Sequence, residues 1–251
     1  MTETYNPFTL TGKQILVTGA SSGIGKATAL ACAKMGATVI LNGRNTERLN
    51  EVMSLLPEGG HQAMAADLSD REAMTSKVVE MPKLDGIVMC AGVANRIPCK
   101  AVTQEDIDFV MKTNIEAPML LQAELLAKKK VNKGASIVYI ASRAYESPSL
   151  GNAIYSASKG AVVSYAKCLA LELAPRQIRV NCICPGMVWT DMITNVLSEE
   201  DLKMAEQNYP LKRFGQVDDV ANLAIYLLSD ASSWMTGGAI DISGGGEGVL
   251  V

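Results

Sequence analysis

Residues 14–25 read QILVTGASSGIG, and this stretch decides the expected fold. The apolar run QILV is typical of a buried strand, and the apolar spacing of 25–36 predicts a helix that ends at a glycine. Between them, Gly19, Gly23 and Gly25 allow a tight turn and the approach of a pyrophosphate to the helix N-terminus, where free N–H groups favour negative charge. A strand, glycine turn and helix together predict a dinucleotide site, and the alternative is a tight turn without a ligand.

Beyond this unit, short β-branched runs alternate with longer segments of helical period. Strands are predicted over 14–19, 37–43, 61–68, 84–92, 135–142, 178–186 and 238–245, and helices from about Thr46 and over 104–113, 116–130, 152–174 and 217–229. Strands that are buried on both faces and alternate with helices favour a parallel sheet between two helical layers. We therefore predict an α/β, doubly wound Rossmann fold with a seven-stranded, mainly parallel sheet, in a single domain over 1–251.

One segment departs from this regular alternation. Residues 187–215 mix Trp189, Met192, Tyr209 and Phe214 with polar residues, between a strand and the last helices. Such a segment is the natural place for a mobile substrate lid. The alternative is an irregular helical connector.

Composition excludes several classes of function. The net charge of −3 provides no general attraction for nucleic acid or for an anionic membrane. The basic run of Lys128, Lys129, Lys130 and Lys133 is interpreted as the solvated end of the helix before it. No apolar window is long enough to span a membrane, and the N-terminus has no secretory pattern, so we expect a cytoplasmic protein.

The cysteines do not form a recognisable metal or disulfide framework. Six cysteines occur without a CxxC pair, and His61 is the single histidine. Cys182 and Cys184 share one face of a predicted strand, but zinc ligation has little support without histidine ligands. We expect buried thiols and no metal site.

The stretch AIYSASKG, residues 153–160, carries a potential catalytic pair. In a helix, Tyr155 and Lys159 lie one turn apart on the same face, although this spacing alone also occurs by chance. A lysine ammonium near a phenol favours the phenolate and so adapts tyrosine to proton exchange near neutral pH. Ser142 ends the fifth strand, where open parallel sheets bind their ligands.

Six motifs now stand in order along the chain. They are TGASSGIG (18–25), ADL (66–68), TNI (113–115), Ser142, YSASK (155–159) and PGMVWT (185–190). On these motifs the chain resembles the short-chain dehydrogenase/reductases over nearly its full length.

This resemblance implies residue roles. Tyr155 is the expected proton donor, Lys159 also holds the nicotinamide ribose, Ser142 binds the substrate oxygen, and Asn114 holds a water that relays the proton through Lys159. The cofactor contacts implied by the motifs are Gly19, Ser21, Ser22, Gly23, Ile24, Gly25, Arg44, Asp67 on the adenine side, Leu68, Cys90, Ala91, Gly92, Tyr155, Lys159, Pro185, Gly186, Val188 and Thr190.

Two departures from the family pattern stand out. The family usually has Asn-Asn-Ala-Gly after the fourth strand, whereas this chain has MCAG, residues 89–92. Cys90 removes the side-chain hydrogen bond of the second asparagine, so we expect weaker support for this loop with catalysis retained. Members that prefer NADP often carry a basic residue where this chain has Ser22. We therefore expect a preference for NADP(H) over NAD(H) that is real but moderate.

The end of the second strand predicts NADP as the cofactor. An acidic residue here accepts hydrogen bonds from the adenosine ribose in NAD-binding folds. Gly43 occupies that position, and Arg44 follows it. A guanidinium can bind the 2′-phosphate through two parallel hydrogen bonds and stack on adenine. The absence of an acidic residue at position 43 and the presence of Arg44 both favour NADP(H).

The C-terminal third of the chain resembles the 3-oxoacyl-[acyl-carrier-protein] reductases. This resemblance implies reduction of a 3-oxoacyl thioester in fatty acid biosynthesis, with acyl carrier protein as a partner that the 128–133 lysines could bind. Leu171 stands where we would expect an arginine in such reductases, so a free sugar, polyol or steroid ketone remains the alternative substrate. A cofactor-sensing or scaffold protein is the non-enzyme alternative.

The resemblance also implies an assembly. Members of the family are typically homotetramers, with helices 116–130 and 152–174 packed across one dimer axis. The apolar tail GVLV, residues 248–251, is expected near another axis.

Overall fold

A central parallel sheet organises the computed structural model, which describes residues 5–194 and 198–246. Its strands are β1 Gln14–Val17, β2 Thr38–Gly43, β3 Gln62–Ala65, β4 Leu84–Met89, β5 Val131–Ile140, β6 Arg179–Pro185 and β7 Ala239–Ile242. They lie in the order β3-β2-β1-β4-β5-β6-β7, and every neighbouring pair is parallel. The prediction of a doubly wound α/β fold with seven strands is confirmed.

Helices cover both faces of this sheet. They are α1 Gly23–Lys34, α2 Thr46–Ser54, α3 Arg71–Glu80, α4 Gln104–Met111, α5 Ala117–Ala127, α6 Ala153–Leu173, α7 Asp191–Thr194, α8 Glu199–Glu206 and α9 Val217–Leu228. Successive strand residues point to opposite faces. Leu16 therefore packs in one core with α3, α5 and α6, whereas Ile15 and Val17 pack in a second core with α1, α2 and α9.

The sheet reverses its winding at β1. The chain runs outward from β1 to β2 and β3, then returns to place β4 on the other side of β1. Loops diverge in opposite directions after β1 and β4, which opens a crevice at their carboxyl ends. This crevice is where the glycine turn 18–25 lies.

Two boundaries near the lysine cluster differ from the prediction. Helix α5 ends at Ala127 rather than at residue 130, because Lys129 adopts a left-handed conformation with φ of 55°. Strand β5 begins at Val131, which pairs with Leu84 of β4, rather than at residue 135. Lys133 is consequently a strand residue, and the interpretation of all four lysines as the end of a helix was wrong.

The predicted gap between helices at 114–115 is a widened helical turn. Residues Lys112–Glu116 form a π-turn that joins α4 directly to α5, and the N–H of Ala117 bonds to the carbonyl of Lys112. Pro118 has no N–H for the carbonyl four residues before it, which belongs to Asn114. The α-helical pattern must therefore change at this point, and a π-turn is one way to do so.

The cysteines differ in part from the expectation of buried thiols. Cys32, Cys182 and Cys184 are buried and Cys90 is partly buried, but Cys99 and Cys168 are exposed. Among the described residues, no helix is both long and apolar enough to cross a membrane, and no group of three or more metal-ligating side chains occurs. The tail 248–251 lies outside the described residues.

Candidate active site

One large cleft lies at the carboxyl ends of the strands, with a volume of about 500 Å³. It is lined by the glycine turn, by residues following β2, β3, β4, β5 and β6, and by the face of α6 that carries Tyr155 and Lys159. With the exception of Asn114, every catalytic and cofactor-contacting residue predicted from the sequence lines this cleft. The prediction of which residues meet in space therefore agrees with the geometry, while their roles stay predictions.

The glycine turn presents an uncapped helix to the cleft. A Cβ at Gly25 would overlap the carbonyl oxygen of Gly19, so only glycine allows α1 to begin this close to β1. The N-cap residue Ser22 makes no side-chain capping bond, and the first turn of α1 has no acidic residue. The free N–H groups of such a helix end fit a pyrophosphate.

Thr18 supports the loop that contains Cys90. Its Oγ1 accepts hydrogen bonds from the N–H of Cys90 at 2.9 Å and of Ala91 at 3.1 Å, and it lies 3.4 Å from the carbonyl oxygen of Val88, to which it donates. A Cβ at Gly19 would lie 2.9 Å from the Cα of Ala91, so the two loops are in close contact. The hydroxyl of Thr18 thus supports the loop although Cys90 has replaced the family asparagine.

The end of the cleft that the sequence predicts for adenine lies beyond β2 and β3. Buried Asn42 donates to the carbonyls of Met64 and Ala66, which fixes the carboxyl ends of the two strands together. Arg44 follows on the exposed side of the cleft. Burial raises the pKa of the Asp67 carboxyl, but hydrogen bonds from Ser69 and the charges of Arg44 and Lys112 outweigh burial and hold that pKa below its usual value. Two cationic side chains, Arg44 and Lys112, therefore act on Asp67 at this end of the cleft.

Helix α6 carries Tyr155 and Lys159, and both side chains line the same cleft. Lys159 is 6% exposed, and its ammonium donates to the carbonyl of Ile140 at 2.8 Å. The same nitrogen lies 5.6 Å from the centre of the Tyr155 ring. Both side chains reach the cleft, so the predicted spacing on one helical face is present in the structure.

Ser142 follows β5 at the floor of the cleft. Its Oγ accepts the N–H of Ala144 at 3.1 Å, which begins a short 3₁₀ turn over Arg143–Tyr145. The guanidinium of Arg143 pairs with Glu146 and with Asp241 of β7, so the turn is attached to the far edge of the sheet. A hydrogen bond donated to Glu146, together with burial, raises the pKa of Tyr145. Tyr145 is thereby kept as a neutral phenol.

Asn114 lies behind the cleft and not in its wall. It is 2% exposed, its Oδ1 accepts the N–H of Val93 at 2.8 Å, and its Nδ2 donates to the carbonyl of Val93 at 2.9 Å. The same Nδ2 donates to the Oγ of Ser158 at 3.0 Å. The side-chain amide is thus fully engaged in holding the loop after β4 against α6.

The segment 187–215 has a small core of its own over its described part. Leu202, Ala205, Tyr209 and Phe214 are buried together. Glu206 binds both ends of the segment, accepting the indole N–H of Trp189 at 2.7 Å and the backbone N–H of Phe214 at 2.9 Å. The carboxylate therefore joins the beginning of this segment to its end, and the role of the segment as a substrate lid stays a prediction.

Several residues near the site were not found from the sequence. Thr18 and Ser158 both stand inside quoted motifs, TGASSGIG and YSASK, but neither motif shows which backbone groups their hydroxyls meet. The pairing of Arg143 with Asp241 joins residues 98 positions apart, and no local pattern predicts it.

Comparison with known proteins gives the family. A family model described as Enoyl-(Acyl carrier protein) reductase matches residues 19–247. A 3-oxoacyl-[acyl-carrier-protein] reductase of Rickettsia felis is 36% identical over 94% of this chain and 97% of its own length. The structure of a short-chain dehydrogenase/reductase from Brucella melitensis, titled glucose/ribitol dehydrogenase, matches with a TM-score of 0.89 and 29% identity over 98% of this chain and all of its own. The chain belongs to the short-chain dehydrogenase/reductase family. The resemblance seen in the sequence is confirmed.

Other relatives of this short-chain dehydrogenase/reductase are named for different substrates. L-xylulose reductase of Caenorhabditis elegans is 38% identical over 95% of this chain and 97% of its own length. A solved structure from Beutenbergia cavernae, titled as an NAD(P)-dependent gluconate 5-dehydrogenase with bound NADP, matches with a TM-score of 0.84 and 31% identity over 96% of this chain and 98% of its own. The family membership makes this protein an oxidoreductase that uses a nicotinamide cofactor, but the relatives are not named for one common substrate.

Proposed function

We propose that this short-chain dehydrogenase/reductase is an NADP(H)-dependent enzyme that interconverts a carbonyl and a secondary alcohol. The observation that carries the proposal is the convergence of Ser142, Tyr155 and Lys159 on the cleft that also contains the glycine turn. A nicotinamide dinucleotide fits this cleft because the uncapped N-terminus of α1 can bind its pyrophosphate and Lys159 can bind its nicotinamide ribose. When bound, the nicotinamide supplies or accepts the hydride.

The side chains divide the remaining chemistry between them. The oxygen of Ser142 accepts the Ala144 N–H, so its own proton can be donated to the substrate oxygen. Tyr155 then gives its phenolic proton to that oxygen as negative charge develops there. The ammonium of Lys159 stabilises the phenolate that remains. One of its three N–H donors is used by Ile140, and the others are available for ribose hydroxyls.

The preference for NADP(H) rests on the residues after β2. No carboxylate occurs at Gly43 to repel a 2′-phosphate, and Arg44 lines the cleft at this point. The charge of Lys112 adds to that of Arg44, as their shared effect on Asp67 indicates. Lys112 was not identified from the sequence, and it contributes positive charge that Ser22 does not.

A 3-oxoacyl thioester is the first candidate substrate. Met187, Met192, Ile193 and Phe214 form an apolar wall of the cleft, which suits an acyl chain. The relative from Rickettsia felis is named for this activity. The 128–133 lysines do not lie at the mouth of this chain's own cleft, because they flank the amino end of β5 and Ser142 follows its carboxyl end. The proposed site for a carrier protein at this cluster was therefore wrong for the cleft of the same chain.

A free sugar or polyol is the second candidate substrate. The lining of the cleft also includes Arg96, Ser147, Ser149 and Asn152, whose polar groups suit a hydroxylated ligand. L-xylulose reductase, a relative at 38% identity, is named for a substrate of this kind.

Substrate panels test both candidates. Purified protein is given NADPH with acetoacetyl thioesters, ketoses and steroid ketones, or NADP with polyols, and cofactor absorbance is followed. Tyr155→Phe protein, run in parallel, corrects for background oxidation. Turnover of acetoacetyl thioesters above ketoses supports the first candidate, and the reverse order removes it. A wild type that turns over no carbonyl or alcohol with either cofactor overturns the proposed function and favours a cofactor-sensing protein.

The assembly and location inferred from the family stay predictions. A homotetramer is checked by light scattering of the purified protein. A carrier-protein partner is checked by comparing turnover of an acyl group on acyl carrier protein and on coenzyme A. A cytoplasmic location is checked by cell fractionation.

A further inference from the structure

Ser158 is a buried hydroxyl next to the catalytic lysine, and the roles considered so far do not use it. It stands in the YSASK motif, is 0% exposed and does not line the cleft. Its Oγ donates to the carbonyl of Tyr155 at 2.7 Å and accepts the amide N–H of Asn114 at 3.0 Å. One hydroxyl therefore connects the turn that carries the tyrosine with the π-turn that carries the asparagine.

Asn114 can make this connection in only one orientation. Its oxygen must meet the N–H of Val93, and its nitrogen must meet the carbonyl of Val93. The remaining amide proton is directed at Ser158. Loss of the Ser158 hydroxyl would leave a buried N–H without an acceptor, and buried donors of that kind are strongly disfavoured.

The connection lies beside the reacting groups. A Cβ at Gly92 would lie 3.3 Å from the Oδ1 of Asn114 and 3.5 Å from the ammonium nitrogen of Lys159. The loop that Asn114 holds therefore leaves no room for a larger side chain between itself and the lysine beside Tyr155. A small shift of α6 relative to this loop changes the distances among Gly92, Lys159 and Tyr155 together.

We propose that Ser158 is a positioning residue, whose hydroxyl sets the place of Tyr155 and Lys159 relative to Asn114 and the cofactor loop. The expected kinetic effect rests on the proposed function. The expected structural effect rests on the hydrogen bonds alone. Ser158 touches neither substrate nor cofactor, so its removal acts on the rate of the chemical step more than on binding.

The same motif contains a matched control. Ser156 lies two residues earlier on α6, and its buried hydroxyl has no hydrogen-bond partner among the described residues. Ser156→Ala removes an equal number of atoms from the same helix without removing a hydrogen bond. It should leave turnover and cofactor binding close to wild type.

The kinetic test compares Ser158→Ala, Ser158→Thr and Ser156→Ala with wild type. We expect kcat of Ser158→Ala to fall by about 10- to 100-fold, the range for a misplaced catalytic group, while the NADPH dissociation constant changes little. Ser158→Thr retains the hydroxyl and should recover most of the lost kcat. Unchanged kcat in folded Ser158→Ala, an equal loss in Ser156→Ala, or a loss of kcat that follows weaker NADPH binding would each overturn the proposal.

A second measurement does not depend on turnover. Free energies of unfolding are determined for Ser158→Ala, Asn114→Ala and the double variant without substrate or cofactor. If the hydroxyl and the amide are coupled, the two losses are not additive, and Asn114→Ala costs less when Ser158 is already alanine. Additive losses would contradict the connection even in an active enzyme. An inactive wild type would overturn the proposed function and leave this result to decide the connection.

Discussion

The ammonium of Lys159 donates a hydrogen bond of 2.8 Å to the carbonyl oxygen of Ile140, the last residue of β5. This bond fixes a helical side chain to the central strand two residues before Ser142. The lysine is held by one of its three N–H donors, and the same side chain lines the cleft. Helix α6 and strand β5 thus bring the three side chains of the proposed chemistry together, and substitutions there should separate catalysis from binding.

Tyr155→Phe should retain the fold and NADPH binding but lose most of its turnover. The ring is kept, so packing is unchanged, and only the proton donor is removed; such donors contribute about 10²- to 10⁴-fold. Lys159→Ala should weaken both turnover and NADPH binding, since the ammonium serves the phenol and the ribose. Steady-state rates and fluorescence titration of NADPH check both variants. Substantial turnover in Tyr155→Phe would remove the proposed mechanism.

Arg44→Ala should weaken NADPH binding while changing NADH binding little. A hydrogen bond to a charged group contributes about 1.5–3 kcal/mol, which corresponds to tenfold or more in affinity. Arg48→Ala, an exposed arginine of α2 outside the cleft lining, controls for general charge. Adding Gly43→Asp to Arg44→Ala should shift the preference toward NADH.

Gly43 has little space, so the aspartate variant needs its own control. A Cβ there would lie 3.2 Å from Leu49 and 3.4 Å from Ser21, and Gly43→Ala measures this steric cost alone. Tighter binding of NADH than of NADPH by the wild type would show that the interpretation of this strand end is wrong.

Thr18→Val should lower the free energy of unfolding by about 1–3 kcal/mol, because the N–H groups of Cys90 and Ala91 lose their acceptor. NADPH binding should weaken as the loop moves. Thr28→Val is the matched control, since the buried hydroxyl of Thr28 has no hydrogen-bond partner among the described residues. Chemical denaturation of both variants makes the comparison. Equal losses would mean that the loop does not depend on the Thr18 hydroxyl.

Pro118→Ala should raise the melting temperature of the protein and lower its kcat. Alanine restores the N–H that an α-helix directs at the carbonyl of Asn114, so the π-turn over Lys112–Glu116 should tighten. The relay water expected from the family resemblance would then lose the backbone carbonyl of Asn114 as its acceptor, and kcat should fall by about tenfold or more. Met119→Ala, at an exposed position one residue later, serves as control. A variant with higher melting temperature and full kcat would rule out a role for the widened turn.

Only Cys99 and Cys168 should react rapidly with a thiol reagent near neutral pH. Burial raises the pKa of Cys32, Cys90, Cys182 and Cys184 to about 12. The thiolate is the reactive form, and its fraction falls tenfold for each pH unit below the pKa. About one in ten thousand of these thiols is therefore ionised near pH 8. Timed labelling followed by mass spectrometry gives the count. Rapid labelling of Cys90, which is partly buried and lines the cleft, would contradict its raised pKa.

Much of the site was predictable because its residues lie in local patterns. Gly19, Gly23 and Gly25 are needed by one turn, and Tyr155 and Lys159 share a helical face through spacing alone. Asn114 was placed near the active site by resemblance, but its hydrogen bonds to Val93 and Ser158 were not predicted. These bonds depend on how loops pack against α6, and their backbone partners leave no mark on the sequence.

The sequence by itself determined the alternation of strands and helices, the parallel sheet and the glycine turn between β1 and α1, because periodicity and glycine act over a few residues. Tertiary structure alone decided that Lys133 extends a strand away from the cleft, that Arg143 reaches Asp241, and that Thr18 supports the loop at Cys90. Each of these contacts joins segments far apart in the chain or depends on which end of the sheet a residue occupies. The physical reason is that packing sets such distances, and local sequence does not encode them.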